Sequence, residues 1–224
     1  MTISLLVSDM AGTTVQDDGL VEAAFTDAMG SMGVGPDDDA YAPALKVVRE
    51  TMGMSKIVVF QMILHDEVAA VRAVAAFEAS IARRIESGEI APITGAVAAL
   101  EEIRGAGIKV ALTTGFSNET RELLVAQLGW TDLVDLSLSP SAELRGRPHP
   151  DLALWALIKL GIDSVREMAT VGDTLTDLQS GWNAGASIVA GVLSGAHDRA
   201  TLQAGPHTHL LGSVVELPAV LAAG

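Results

Sequence analysis

One change of texture constrains this chain more than any other feature. A single apolar, β-prone run stands near the N-terminus, from Ile3 to Ser8. From Gln16 to about Glu89 the strand signal nearly vanishes and helical periodicity takes over. After Pro92 helix and strand alternate. Alternation of that kind specifies parallel βαβ units. A lone strand cut off from the others by a helical stretch specifies an insertion. The expected fold is therefore α/β: a Rossmann-like parallel sheet interrupted by an all-helical insert. The core would comprise residues 1–16 and 92–224, and the insert residues 17–91.

The expected elements follow from the pattern. Helices are predicted over Val21 to Met32, Ala40 to Thr51, Ser55 to Leu64 and Asp66 to Glu86. The last carries Val71, Val74, Phe77, Ile81 and Ile85 at helical spacing, with acids at its start and Arg83-Arg84 near its end, as the helix dipole favours. The run Asp37-Asp38-Asp39 reads as a solvated helix start. Beyond Pro92, strands are predicted at Ile108 to Thr114, Leu133 to Leu138, Met168 to Gly172 and Ile188 to Leu193. Helices are predicted at Val97 to Arg104, from a Ser117 or Asn118 cap through Leu128, at Pro150 to Leu160 and at Thr176 to Ala184.

Chemistry-bearing residues fall where these strands end. Asp9 closes the first strand and is followed by Ala11-Gly12-Thr13-Thr14; Thr114 closes the second. Arg147 precedes a helix, and Asp173 and Asp177 follow the strand ending at Gly172. Each has an ordinary reading: Asp9 as a loop acid, Thr114 as a strand end, Arg147 paired with Glu143 on the surface, Asp173 and Asp177 as a capped helix start. In a parallel sheet, however, all would converge on one edge, where such sheets bind ligands. Asp9, Asp173 and a backbone carbonyl offer hard oxygen ligands suited to Mg²⁺. Thr114, Arg147 and the Gly12 region offer donors and positive charge for a phosphoryl group. Asp9 could then attack phosphorus and form an aspartyl-phosphate.

In this order the motifs resemble the haloacid dehalogenase superfamily of phosphotransferases over nearly the full length, with the helical insert in the place of that superfamily's cap. Within it, Asp9-Met10-Ala11-Gly12-Thr13-Thr14 is similar to the phosphonoacetaldehyde hydrolase (phosphonatase) group, as are Arg147 in place of the usual lysine, Gly172-Asp173-Thr174, Asn183-Ala184-Gly185 and Gly191-Val192-Leu193. Met52-Gly53-Met54-Ser55-Lys56-Ile57 resembles the segment that carries that group's Schiff-base lysine, with Lys56 at its position. The resemblance implies Asp9 as nucleophile, Lys56 as imine-forming amine, and Thr114 and Arg147 as phosphoryl binders. It implies Ala11, Gly12, Thr13, Met52 and Gly115 around the substrate, and Mg²⁺ held by Asp9, Asp173 and the Ala11 carbonyl, with Asp177 as a further ligand or just behind. It also implies a homodimer.

The chemistry accounts for two of these residues together. Most superfamily phosphatases carry a second aspartate two residues after the nucleophile, to protonate a leaving oxygen; here that position is Ala11. A C–P bond has no leaving oxygen, and needs instead an electron sink on carbon, which an iminium on Lys56 provides. Apolar neighbours Met52, Met54, Ile57 and Phe60 would desolvate Lys56 and lower its pKa. Val58 and Val59 stand where the group has a histidine within a turn of the lysine, Phe116 where a phenol is expected, and His65 lies too far on to substitute. His149 and His197 read as structural or rim residues.

The expected function is thus Mg²⁺-dependent C–P hydrolysis of phosphonoacetaldehyde or a related 2-oxoalkylphosphonate. The alternatives are a phosphatase of small phosphate monoesters of the phosphoglycolate type, a dehalogenase, and a non-catalytic binding module. Composition narrows the field. A net charge of −14 argues against nucleic acid as partner and leaves a small phosphonate or phosphate anion. No apolar run reaches the roughly 18 residues of a membrane span despite a mean hydropathy of +0.38. The absence of cysteine removes disulfides and thiolate nucleophiles, and a cytoplasmic location is expected.

Overall fold

The structure, a computed structural model, describes residues 2–223. Strand β1 (Leu5–Asp9) is followed by four helices, α1 (Leu20–Ser31), α2 (Tyr41–Glu50), α3 (Lys56–Leu64) and α4 (Glu67–Glu86). Helix α5 (Ala96–Gly105) then begins an alternation: β2 (Lys109–Thr113), α6 (Asn118–Gln127), β3 (Leu136–Leu138), α7 (Asp151–Lys159), β4 (Met168–Gly172), α8 (Leu175–Ala184), β5 (Ile188–Val192), α9 (Arg199–Gln203), β6 (His209–Leu211) and α10 (Leu217–Ala223). The six strands form one sheet in the order β3-β2-β1-β4-β5-β6, and every paired neighbour is parallel. The order runs one way from β1 through β2 to β3 and the other way from β4 to β6. The switch point therefore lies at the carboxyl ends of β1 and β4, where Asp9 and Gly172 stand.

Both faces of the sheet are covered, which is why its central strands are near-continuous apolar runs. Leu5 and Val7 of β1 pack with Ala153 and Ala156 of α7 and Ala184 of α8. Leu6 points to the opposite face, into a larger cluster that reaches Leu100 of α5, Leu124 of α6 and the helices α1 to α4. Within it, Phe25, Phe60, Phe77 and Phe116 form a chain of ring contacts at 6.1, 6.1 and 6.3 Å between centroids. Phe116 lies in the loop after β2, so this chain ties α1, α3 and α4 to the sheet. Full burial of one such side chain contributes roughly 1.5–3 kcal/mol.

Local signals explain most boundaries. Asp66 caps α4 by accepting from the Ala69 amide at 2.8 Å, and Ser117 caps α6 through the Thr120 amide at 3.2 Å. Thr174 and Asp177 form a reciprocal capping box on α8. Three expectations need correction. The third strand begins at Leu136, not Leu133, because the Asp135 carboxylate accepts the Val110 amide at 2.9 Å and replaces a ladder carbonyl there. The run 37–39 does not cap a helix: α2 starts at Tyr41 without a side-chain cap, and Asp38 closes a turn on the Gly35 amide. The sequence reading also carried no sixth strand and no α9 or α10.

Candidate active site

The loops leaving β1, β2 and β4 bring the strand-end residues together. Asp9 is 5% exposed and its Oδ1 lies 2.6 Å from Nη1 of Arg147. The same guanidinium places Nε 2.9 Å from Oδ1 of Asp177 and donates through Nη2 to the Thr113 hydroxyl at 2.8 Å. Arg147 is buried, so the surface pairing with Glu143 does not occur; Arg145 is the arginine that forms an outer pair, with Asp151. Asp173 accepts from the Thr13 hydroxyl at 3.1 Å and from the Ala196 amide at 2.7 Å. Asp177 accepts from both the amide and the hydroxyl of Thr174.

This is an unusual concentration of buried acid. Asp9, Asp173 and Asp177 each offer an oxygen within 4.8 Å of the other two, and all three are buried. Burial pushes the Asp9 carboxyl up to about 7; the Arg147 charge opposes this and the Asp177 charge reinforces it. Burial likewise raises Asp173, helped by the charges of Asp9 and Asp177. Burial works against the Arg147 charge, but Asp177 and Asp9 outweigh it and hold the guanidinium protonated. One cation facing three carboxylates leaves excess negative charge in a site of low polarity. That donor set fits a divalent cation, which supplies the missing positive charge through hard oxygen ligands.

Asp9, Ala11, Met52, Lys56, Thr114, Gly115, Arg147 and Asp173 line one small cavity of about 30 Å³. Eight expected residues from opposite ends of the chain therefore meet on one wall. Gly12 and Thr13 stand behind it. Gly12 has φ 80°, and a Cβ there would lie 2.5 Å from Oδ2 of Asp173, so only glycine lets the loop pass the carboxylate. The amides of Gly12 and Thr13 are taken by the carbonyls of Val15 and Met10, and the Thr13 hydroxyl by Asp173. Asp177 is held off the wall by Arg147 and Thr174.

Lys56 enters the cavity from the first turn of α3. It is 7% exposed, and its Nζ sits 5.6 and 5.9 Å from the ring centroids of Phe77 and Phe116, with the Met54 carbonyl at 3.5 Å. Burial lowers its pKa, against the opposing charges of Asp17 and Glu78. The segment carrying it is pinned to the sheet loops, for the Thr176 hydroxyl donates to the Met52 carbonyl at 2.8 Å. A Cβ on Gly115 would lie 2.7 Å from the Met54 carbonyl, so that approach requires glycine. Gly115→Ala is expected to prop this segment away from the sheet. Turnover should fall about 10²-fold with little change in unfolding midpoint, checked by steady-state kinetics beside thermal denaturation.

Four contributors escaped the sequence reading. Thr113, Thr176, Ala196 and Asp17 sit in or against the site: Thr113 reads as an ordinary strand hydroxyl beside Thr114, and the other three follow no strand directly. His197 accepts the Leu175 amide at 3.0 Å, and His149 lends its carbonyl to Ser180.

A parallel sheet with a buried aspartate at its switch point, beside two further buried aspartates and an arginine, offers a carboxylate and a cation where such sheets bind ligands. The family model for haloacid dehalogenase-like hydrolases matches residues 3–185, and the chain belongs to that family. A phosphonoacetaldehyde hydrolase of Vibrio cholerae is 32% identical over 158 residues, covering 59% of this chain and 58% of that protein. The chain thus spans little more than half the length of that curated relative. Among solved structures, a phosphonoacetaldehyde hydrolase like protein from Oleispira antarctica superposes with a TM-score of 0.83 at 20% identity, covering 100% of this chain and 92% of that one. A predicted phosphoglycolate phosphatase from Haemophilus somnus gives 0.81 at 15% identity, covering 98% of both. These two likenesses establish the fold.

Proposed function

We propose that this hydrolase cleaves the C–P bond of phosphonoacetaldehyde or a closely related 2-oxoalkylphosphonate. The observation that carries the reading is an amine of lowered pKa, Lys56, sharing one small cavity with the buried carboxylate Asp9. A phosphomonoesterase needs the carboxylate but has no use for the amine. The alanine at position 11 supports the same reading, since no leaving oxygen requires an acid there.

Uncharged Lys56 condenses with the substrate carbonyl and forms an iminium two bonds from phosphorus. Asp9 attacks phosphorus, and the C–P electron pair moves into the iminium, leaving an enamine and an aspartyl-phosphate. The Thr114 hydroxyl and the Arg147 guanidinium hold the phosphoryl oxygens. Asp9, Asp173 and the Ala11 carbonyl would hold Mg²⁺, with Asp177 beside them, and the ion's chemistry there is neutralisation of phosphoryl charge. A cavity of about 30 Å³ admits little more than one water, so substrate entry requires the Met52–Met54 segment to lift and close again.

The test is borohydride reduction in the presence of phosphonoacetaldehyde, followed by mass spectrometry of the peptide containing Lys56. The expected result is a reduced adduct on Lys56 that disappears in Lys56→Arg. Absence of any adduct, with Mg²⁺-dependent phosphate release from small monoesters that survives Lys56→Arg, would instead establish the phosphoglycolate-type phosphatase.

A further inference from the structure

Imine formation needs a proton donor for the departing hydroxyl, and the turn after Lys56 supplies none: its next residues are Ile57, Val58 and Val59. We propose that Asp17 is the proton-transfer group of the lysine chemistry, a role that rests on the C–P reading above.

The placement of Asp17 carries the argument. An outer cleft of about 730 Å³ lies beside the small cavity, and Asp17, Met52 and Ala196 line both. Asp17 is the only titratable residue of those three, so it is the ionisable group shared by the lysine's cavity and the outer cleft. Its Oδ1 is fixed by the Val21 amide at 3.1 Å, while Oδ2 takes no hydrogen bond among the described residues. The other charged groups around the lysine are committed. Glu78 is held by Ser117 and Thr120, Arg147 by Asp9 and Asp177, and Arg49 by Glu22. His197 lines the outer cleft only, its Nδ1 bound to the Leu175 amide.

Electrostatics agrees with this placement. Burial raises the Asp17 carboxyl, opposed by its Val21 hydrogen bond and by Lys56, and assisted by the charges of Glu22 and Asp18. Among the charges acting on Lys56, that of Asp17 is the strongest. Burial thus works toward the uncharged form of each group, and the uncharged pair is the state that condensation requires.

Lys56 Nζ bonds to the carbonyl carbon, and the C=O pair becomes a hydroxyl as the proton on nitrogen passes to oxygen. Asp17 protonates that hydroxyl; the C–O bond breaks and releases water, leaving the iminium and the Asp17 carboxylate. After C–P cleavage the enamine carbon takes a proton from water, and the hydroxide equivalent is consumed in hydrolysis of the aspartyl-phosphate. Water then adds to the product iminium, which releases aldehyde and free Lys56 and returns a proton to Asp17.

Asp17→Asn preserves size and the acceptor for Val21, and removes only the acid. The rate of borohydride-trapped adduct at Lys56, measured with phosphonoacetaldehyde across pH 5–9, should fall at least about 10²-fold in Asp17→Asn and lose its acid-dependent limb. Asp17→Glu should recover a substantial part of the rate with a displaced limb. If the wild-type protein forms adduct and Asp17→Asn matches its rate and pH profile, this proposal is overturned alone. It is equally overturned if Asp17→Glu traps no faster than Asp17→Asn. If the wild-type protein forms no adduct, the C–P reading falls and this proposal with it.

Discussion

Asp9→Asn should abolish phosphate release and, at the same time, make the metal-free protein more stable. The loss of activity follows from the nucleophilic role proposed for Asp9 and is expected to reach roughly 10⁴–10⁶-fold. The gain in stability follows from burial. Asp9 has an ordinary value of 3.8 and is pushed up to about 7 in the folded chain. Between those values the folded protein keeps a proton that the unfolded chain has released. Stability of the metal-free protein therefore falls as pH rises from about 4 to 7, and is level with respect to Asp9 above that. Asparagine carries no such penalty. Denaturant unfolding in chelator should show a variant more stable than wild type by up to a few kcal/mol at pH 8 and a smaller difference at pH 5. Equal stability at both values would mean that Arg147 fully offsets the burial of Asp9.

Arg147→Met should do the reverse. It leaves Asp9 and Asp177 buried without the cation that both contact, and removal of one partner from a buried ion pair costs about 3–5 kcal/mol. The cost should be largest at pH 8 and shrink toward pH 5, where the orphaned Asp9 carboxyl takes up a proton. Arg147→Lys restores charge but not the fork, since Nε, Nη1 and Nη2 serve three different partners. It should recover part of the stability and little of the activity. The measurement is unfolding free energy at both pH values, with phosphate release alongside.

How much of this was legible in the sequence depends on how each residue signals. Strands β1, β4 and β5 are buried along their whole length, so each is written largely in apolar and small residues. Strand β6 is three residues long and begins with two half-buried ones, His209 and Leu210, and no periodicity marks so short a piece. The start of β3 was misplaced because a side chain, Asp135, performs a backbone task. At the site, Asp9, Arg147 and Asp173 could be found because acids and a base sit at strand-to-helix switches. Asp17 could not. In sequence it is one of two adjacent acids, and only folding separates them, leaving Asp18 exposed and turning Asp17 toward the Val21 amide. Thr113 and Ala196 act through a hydroxyl within a strand and an amide within a loop, which no residue pattern distinguishes from ordinary backbone.

Lys56 reaches the cavity from the start of α3, whereas Asp9, Arg147 and Asp173 reach it from the sheet. The proposed reaction thus requires two recognitions to coincide. A simple aldehyde satisfies the amine and offers nothing for the carboxylate to attack; a simple phosphate satisfies the strand ends and provides no carbonyl to capture. Only a molecule that carries both groups, at the spacing set by the closed segment, engages them together. Fidelity would then come from conjunction more than from a tight fit to either group, and changes in the helices could alter what is accepted while the bond-breaking apparatus stays as it is.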